Sequence, residues 1–279
     1  MEGTIFQYEF IIKGLFGAVF ASITAGLAGT YIVSKRMVFL SGGITHASFG
    51  GIGIGYYTGI NPVIGAAVFG ILSALGIEYL SVKQKIREDS AIGILWAFGM
   101  AIGIIFIYLT PGYTPNLMSY LFGSILTVTN ADIIALGIMS VVLILYFSIF
   151  YRTILYISFD EVFARTYSSY VNLFKYITTS LIALTIVLNI RMAGVVLVIS
   201  LLTIPPNIAM IFTRVYSRIV LWSVAAGFAG TAAGYIISYF AGIPVGATII
   251  FTLVMLWIVV KVMKQIIRAG KKAGDQYKI

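Results

Sequence analysis

The stretch AIGILWAFGMAIGIIFIYL, residues 91–109, runs for nineteen residues without a charged side chain. A hydrocarbon core of ~30 Å takes roughly 20 helical residues at ~1.5 Å each, so this segment is long enough to cross a bilayer. Hydropathy separates nine such spans: about Tyr8–Val33, Val38–Tyr57, Pro62–Leu80, Ala91–Leu109, Asp132–Tyr151, Tyr170–Leu188, Ala193–Phe212, Ile219–Phe240 and Gly246–Val262. Composition agrees, because a 279-residue chain that is 60% hydrophobic and 10% charged, with mean hydropathy +1.04, cannot cover a soluble core with polar surface. The expected fold class is all-α, a single polytopic transmembrane helix bundle over residues 1–279. Pro111, Gly112 and Pro115 predict an irregular segment after the fourth span, followed by a short surface helix at Leu117–Ile125.

An odd number of spans places the termini on opposite sides, which the basic residues can test. With the C-terminus in the cytoplasm, 16 of the 18 Lys and Arg residues fall inside, and only Lys13 and Arg191 fall elsewhere. The N-terminus is therefore expected outside. The net charge of +9 is concentrated in cytoplasmic segments, and the basic tail at about 261–279 reads as a juxtamembrane segment facing anionic lipid rather than a nucleic-acid arm. Outer loops near Thr58–Asn61, Thr110–Asn116 and Ala241–Val245 are short and uncharged, so capture of a substrate outside falls to another protein.

Small residues recur every fourth position at Gly14, Ala18, Ser22, Gly26 and Thr30, and again at Ala226, Gly230, Gly234 and Ser238, the spacing of close helix packing. A denser glycine cluster in Ser41–Gly55 lacks the strand and acidic partner of a dinucleotide site, and marks a helix pressed on a neighbour or open to a pathway. Cysteine is absent, which excludes thiolate metal sites and Cys-based catalysis. So are the phosphate loop G-x-x-x-x-G-K-[ST] and the hydrolase motifs H-E-x-x-H and G-x-S-x-G. The chain is not expected to be an enzyme.

His46, the only histidine, lies about nine residues into its span and so close to mid-membrane. An intramembrane imidazole is either a pathway ligand for zinc-like ions or a structural histidine bonded to a neighbouring helix. Pro205 and Pro206 are expected to break their helix and turn freed carbonyls, with Thr203 and Asn207, toward a cavity. Glu78 and Asp132 sit near span ends and are expected to reach an interface, and Arg191 to meet lipid headgroups. In the cytoplasmic connection at about 152–170, Ser158 and Glu161 have capping-box spacing and predict a short helix, Phe159–Tyr167. Phe163 and Tyr167 share one of its faces, leaving Asp160, Glu161 and Arg165 for polar contacts with lipid or a soluble partner.

Several segments together resemble the membrane permease subunits of bacterial zinc/manganese ABC importers across nearly the whole chain. They are Gly42-Gly43-Ile44-Thr45-His46-Ala47-Ser48, similar to G-D-x-x-x-H-A; Glu88-Asp89-Ser90-Ala91-Ile92-Gly93-Ile94, similar to E-D-x-x-x-G-I; Leu121-Phe122-Gly123-Ser124-Ile125-Leu126; Ser158–Arg165; Ala193–Ala209; and Gly242–Thr248. The resemblance implies an ABC ATPase subunit on the cytoplasmic face, an external solute-binding protein, and a second permease subunit forming a homodimer in a bacterial inner membrane. It also implies that Ser158, Phe159, Asp160, Glu161, Phe163 and Arg165 belong to the ATPase-coupling segment, and that His46 is a transient ligand of a transported divalent metal, with no cofactor bound permanently. Two positions depart from the family pattern, Gly42 and Ser124, where aspartate is common. Imidazole without that carboxylate favours zinc over manganese or iron. A stand-alone secondary transporter and a non-transporting scaffold are the alternative readings, but no repeat and no deep carboxylate supports the former.

Overall fold

The computed structural model describes residues 9–112 and 128–276, with side chains described between 12 and 268 of these. The stretch Leu121–Leu126 and the helix expected at Leu117–Ile125 lie outside them. Among the described residues there are ten helices and no strand: α1 Glu9–Ser34, α2 Val38–Thr58, α3 Pro62–Val82, α4 Glu88–Leu109, α5 Asn130–Ile149, α6 Tyr151–Phe159, α7 Glu161–Tyr167, α8 Val171–Phe212, α9 Tyr216–Ala241 and α10 Val245–Gln276. The helical bundle is as expected.

Local chemistry sets the ends. Asn61 caps α3 by accepting from the Val63 N–H at 3.0 Å, with Pro62 at the first helical position where its missing donor costs nothing. At α5, Thr129 and Asp132 form a reciprocal capping box.

Among the described residues, seven helices are long and apolar enough to cross a membrane: α1, α3, α4, α5, α8, α9 and α10. The sequence reading differs at two places. The first is α2, whose glycine, serine and threonine content lowers its hydropathy; it is mostly buried against α3, α4 and α8 and needs little lipophilicity. The second is α8, whose 42 residues would reach ~63 Å if straight, twice the hydrocarbon core. It is two helices meeting at Gly194, where φ 77° and ψ 162° leave the helical region. The chain reverses there. Along α8, Asn189 meets Thr24 of α1 and Met192 meets Gly17, but Leu202 meets Gly29, back toward the other end of α1.

The expected break at Pro205 and Pro206 is thus corrected. Helical dihedrals continue through both prolines to Phe212, and the break lies at Gly194. Pro206 leaves the Leu202 carbonyl without its i+4 donor, and that carbonyl packs against Gly29 of α1 instead. The small-residue stripes pack as read: Gly26 against Val224 and Gly234 against Ile249. In α2 most of the glycine cluster is pressed on backbone, with Gly51 against Gly65 of α3 and Gly53 against Gly103 of α4, contacts that leave no room for a Cβ.

Candidate translocation face and cytoplasmic coupling base

Gly42 is the exception within its cluster. A Cβ there would meet only Ile199 at 3.8 Å and Trp96 at 4.0 Å, ordinary contact distances, so α2 opens at this position onto a face shared with α4 and the second half of α8. His46, one turn along α2, is half-buried on that face and stacks on Trp96 of α4, ring centroids 4.4 Å apart and planes 2° from parallel. Its ring nitrogens have no hydrogen-bond partner among the described residues, which is not the arrangement of a histidine bonded to a neighbouring helix.

From Ile199, Thr203 and Asn207 follow at i+4 and i+8 on α8, about 6 and 12 Å along the axis. Because this half of α8 runs toward the α1–α2 turn, they lie on the opposite side of Gly42 from His46. His46, Thr203 and Asn207 are therefore strung along one route rather than gathered in one cluster. Thr203 donates to the Ile199 carbonyl at 2.8 Å, and the exposed Asn207 donates its amide to the Thr203 carbonyl at 2.7 Å. Among the described residues no group of three His, Cys, Asp or Glu side chains is close enough to hold a metal ion.

The region where α7 meets α3 and α8 carries charge. Helix α7 is capped by Asp160, whose carboxylate accepts from the Phe163 N–H at 2.9 Å. This corrects the expected Ser158 cap: Ser158 is buried inside α6, and its hydroxyl donates to the Ile154 carbonyl at 2.7 Å. Phe163 and Tyr167 do share a face, and both rings pack edge-on against Tyr156. Phe159 and Val162 point outward, and Val162, which sequence reasoning passed over, is 77% exposed.

Glu161 is not free for an outside contact. Its carboxylate takes Arg165 at 2.7 Å and Lys175 of α8 at 3.0 Å. Lys175 in turn lies 3.4 Å from Glu78 of α3, which also accepts from the Thr179 hydroxyl at 2.8 Å. The expectation that Glu78 reaches an interface is overturned: its side chain is 2% exposed, neutralised by a lysine that is 4% exposed. Burial raises the Glu161 carboxyl, but the hydrogen bonds and charges of Lys175 and Arg165 outweigh it and hold the group below the usual glutamate range. Arg191 also differs from expectation, pairing with Asp132 at 3.2 Å where lipid headgroups were expected.

A family model described as the ABC 3 transport family matches residues 7–264. A probable metal transport system membrane protein of Chlamydia pneumoniae is 36% identical over 88% of this chain and 85% of its own length. The manganese transport system membrane protein of Listeria monocytogenes is 32% identical over 93% of this chain and 92% of its own. Among solved structures, PsaBC from Streptococcus pneumoniae in complex with a Fab superposes with TM-score 0.81 at 28% identity, covering 92% of each chain.

Proposed function

The chain belongs to the ABC 3 transport family, and from that premise we propose that it is the membrane-spanning permease of an ATP-driven importer of divalent metal ions. It is a multi-pass protein of a bacterial inner membrane. Counting α2 and each half of α8, nine crossings carry it from an outside N-terminus to a cytoplasmic C-terminus, the arrangement that the basic residues favour.

One observation carries the reading. An uncharged mid-membrane route holding the sole histidine is joined, in one bundle, to an exposed cytoplasmic helix locked onto α8 by the Glu161–Lys175 ion pair. The route serves conduction, in which an ion must leave as readily as it enters. His46 is a transient ligand, and Thr203 and Asn207 line the way toward the cytoplasmic side. The chain carries no phosphate loop of its own, so ATP hydrolysis belongs to a partner subunit. The segment at about 152–170, with Phe159 and Val162 as its exposed apolar contacts, docks that subunit. A second copy of the permease completes the pathway, and a solute-binding protein outside delivers the ion.

For the ion, the donor chemistry of His46 without an aspartate at Gly42 favours zinc. The Listeria monocytogenes relative, named for manganese, sets that ion beside it. Accumulation measured ion by ion in a strain lacking the chain tests both: loss of zinc uptake alone supports the donor argument, loss of manganese alone overturns it. Unchanged accumulation of every divalent ion would sink the importer.

A further inference from the structure

Where the C-terminal end of α8 meets the last helix, there is a cavity of about 410 Å³ that the transport reading does not use. Arg214, Lys261, Lys264 and Arg268 line it and no acidic residue does. None of the four has an acidic partner among the described residues; Lys261 rests 4.5 Å over the Trp257 ring. Four cations with no acidic side chain among them outweigh the partial negative charge of the α8 C-terminus and attract an anion. Below them, Met210, Ile211 and Phe212 form an apolar wall.

The second observation is the helix itself. From Lys261 on, α10 keeps two faces: Lys261, Lys264 and Arg268, at i, i+3 and i+7, turn toward α8, while Val262, Met263, Ile266 and Ile267 are exposed and apolar. On the end of a helix that has just crossed the membrane, basic residues beside exposed apolar ones mark the depth at which it reaches the interface. The cavity therefore opens at headgroup depth, where basic pockets between transmembrane helices take anionic lipid.

We propose that this cavity is a binding site for an anionic phospholipid, its phosphate held by Arg214, Lys261, Lys264 and Arg268 and its chains lying against Met210, Ile211 and Phe212. Free phosphate shares the headgroup chemistry, but it leaves the apolar wall without a role. The site is independent of which ion the protein carries.

The test uses the full chain in mild detergent, titrated with phosphatidylglycerol or phosphatidylcholine and read by native mass spectrometry. Phosphatidylglycerol should bind selectively. The triple exchange K261Q/K264Q/R268Q should weaken it by about 5-fold per charge, on the order of 100-fold together, while the charge-matched K83Q/K85Q/R87Q on another cytoplasmic turn should not. Where the triple variant does not fold, Arg268→Gln alone, at an exposed side chain, should still cost about 5-fold. Equal binding of both lipids, equal loss in the two triple variants, or no loss with Arg268→Gln overturns the proposal. Displacement of lipid by millimolar inorganic phosphate overturns it in favour of a soluble-anion site. Intact lipid binding with lost ATPase association in the K261Q/K264Q/R268Q variant overturns it in favour of a protein interface.

Discussion

Around His46 the side chains meet through one ring stack, with open space beside Gly42 and hydroxyls returned to their own helices. Around Lys175 it is held by charge, a chain of ion pairs running from Glu78 through Lys175 to Glu161 and on to Arg165. On the function proposed above, the difference follows from what each region must do. A route that must release its cargo is served by few and weak ligands. A helix that must pass motion from a soluble partner into the membrane is served by a contact that cannot slip, and a half-removed buried ion pair is costly enough to enforce that.

The contrast breaks most visibly at its charged end. Lys175→Met leaves Glu78 buried without its cation and should cost about 3–5 kcal/mol, read as a lowered melting temperature in detergent. Adding Glu78→Gln should restore most of the loss. A Lys175→Met variant that melts like the parent would mean the base is not clamped by charge. Next in size is the outward contact of α7. Val162→Asp should weaken ATPase co-purification by about 2 kcal/mol, roughly 30-fold, with the melting temperature unchanged, because the side chain touches little of its own chain.

At the uncharged end the effects are smaller in stability and larger in transport. At Gly42 a Cβ meets Ile199 and Trp96 only at ordinary contact distances, so Gly42→Asp starts without a backbone clash and puts a carboxylate one turn from His46. It should tighten metal binding by about 10-fold, ~1.4 kcal/mol, and slow release, measured by metal titration and by uptake. His46→Ala loses a ring stack worth ~0.5–1.5 kcal/mol and should depress uptake far more than it depresses the melting temperature; equal depression of both would reassign the residue to structure. The smallest effect is in pH. Because Glu161 sits below the usual glutamate range, its pairing is fully present above that range and is lost only as pH falls through the depressed value. Docking of α7, followed by hydrogen exchange, should be flat from about pH 8 to 5 and weaken below ~4.5.

Sequence alone reached the helical bundle because span length and small-residue spacing are local signals, each visible within about twenty residues. It failed where the deciding partner arrives from far along the chain. Glu78 reads as a carboxylate near a span end until Lys175, on a helix much later in sequence, is brought against it. Arg191 and Asp132 failed alike. Two errors were local and instructive. Ser158 has capping-box spacing, yet it lies within α6 and spends its hydroxyl on that helix, leaving the cap to Asp160. Pro205 and Pro206 read as a break, yet the Leu202 carbonyl that Pro206 frees is absorbed by packing on Gly29, while Gly194 takes the positive φ at the reversal. The gap between the expected spans Tyr170–Leu188 and Ala193–Phe212 lies just before that turn, which falls at the second residue of the later span.

The central claim is that this bundle moves a divalent metal inward only when a partner subunit hydrolyses ATP. Proteoliposomes holding the chain, its ATPase subunit and its solute-binding protein should accumulate metal when ATP is supplied to the ATPase side, and not when it is withheld. Uptake driven by a proton gradient, with no ATPase present, would contradict it.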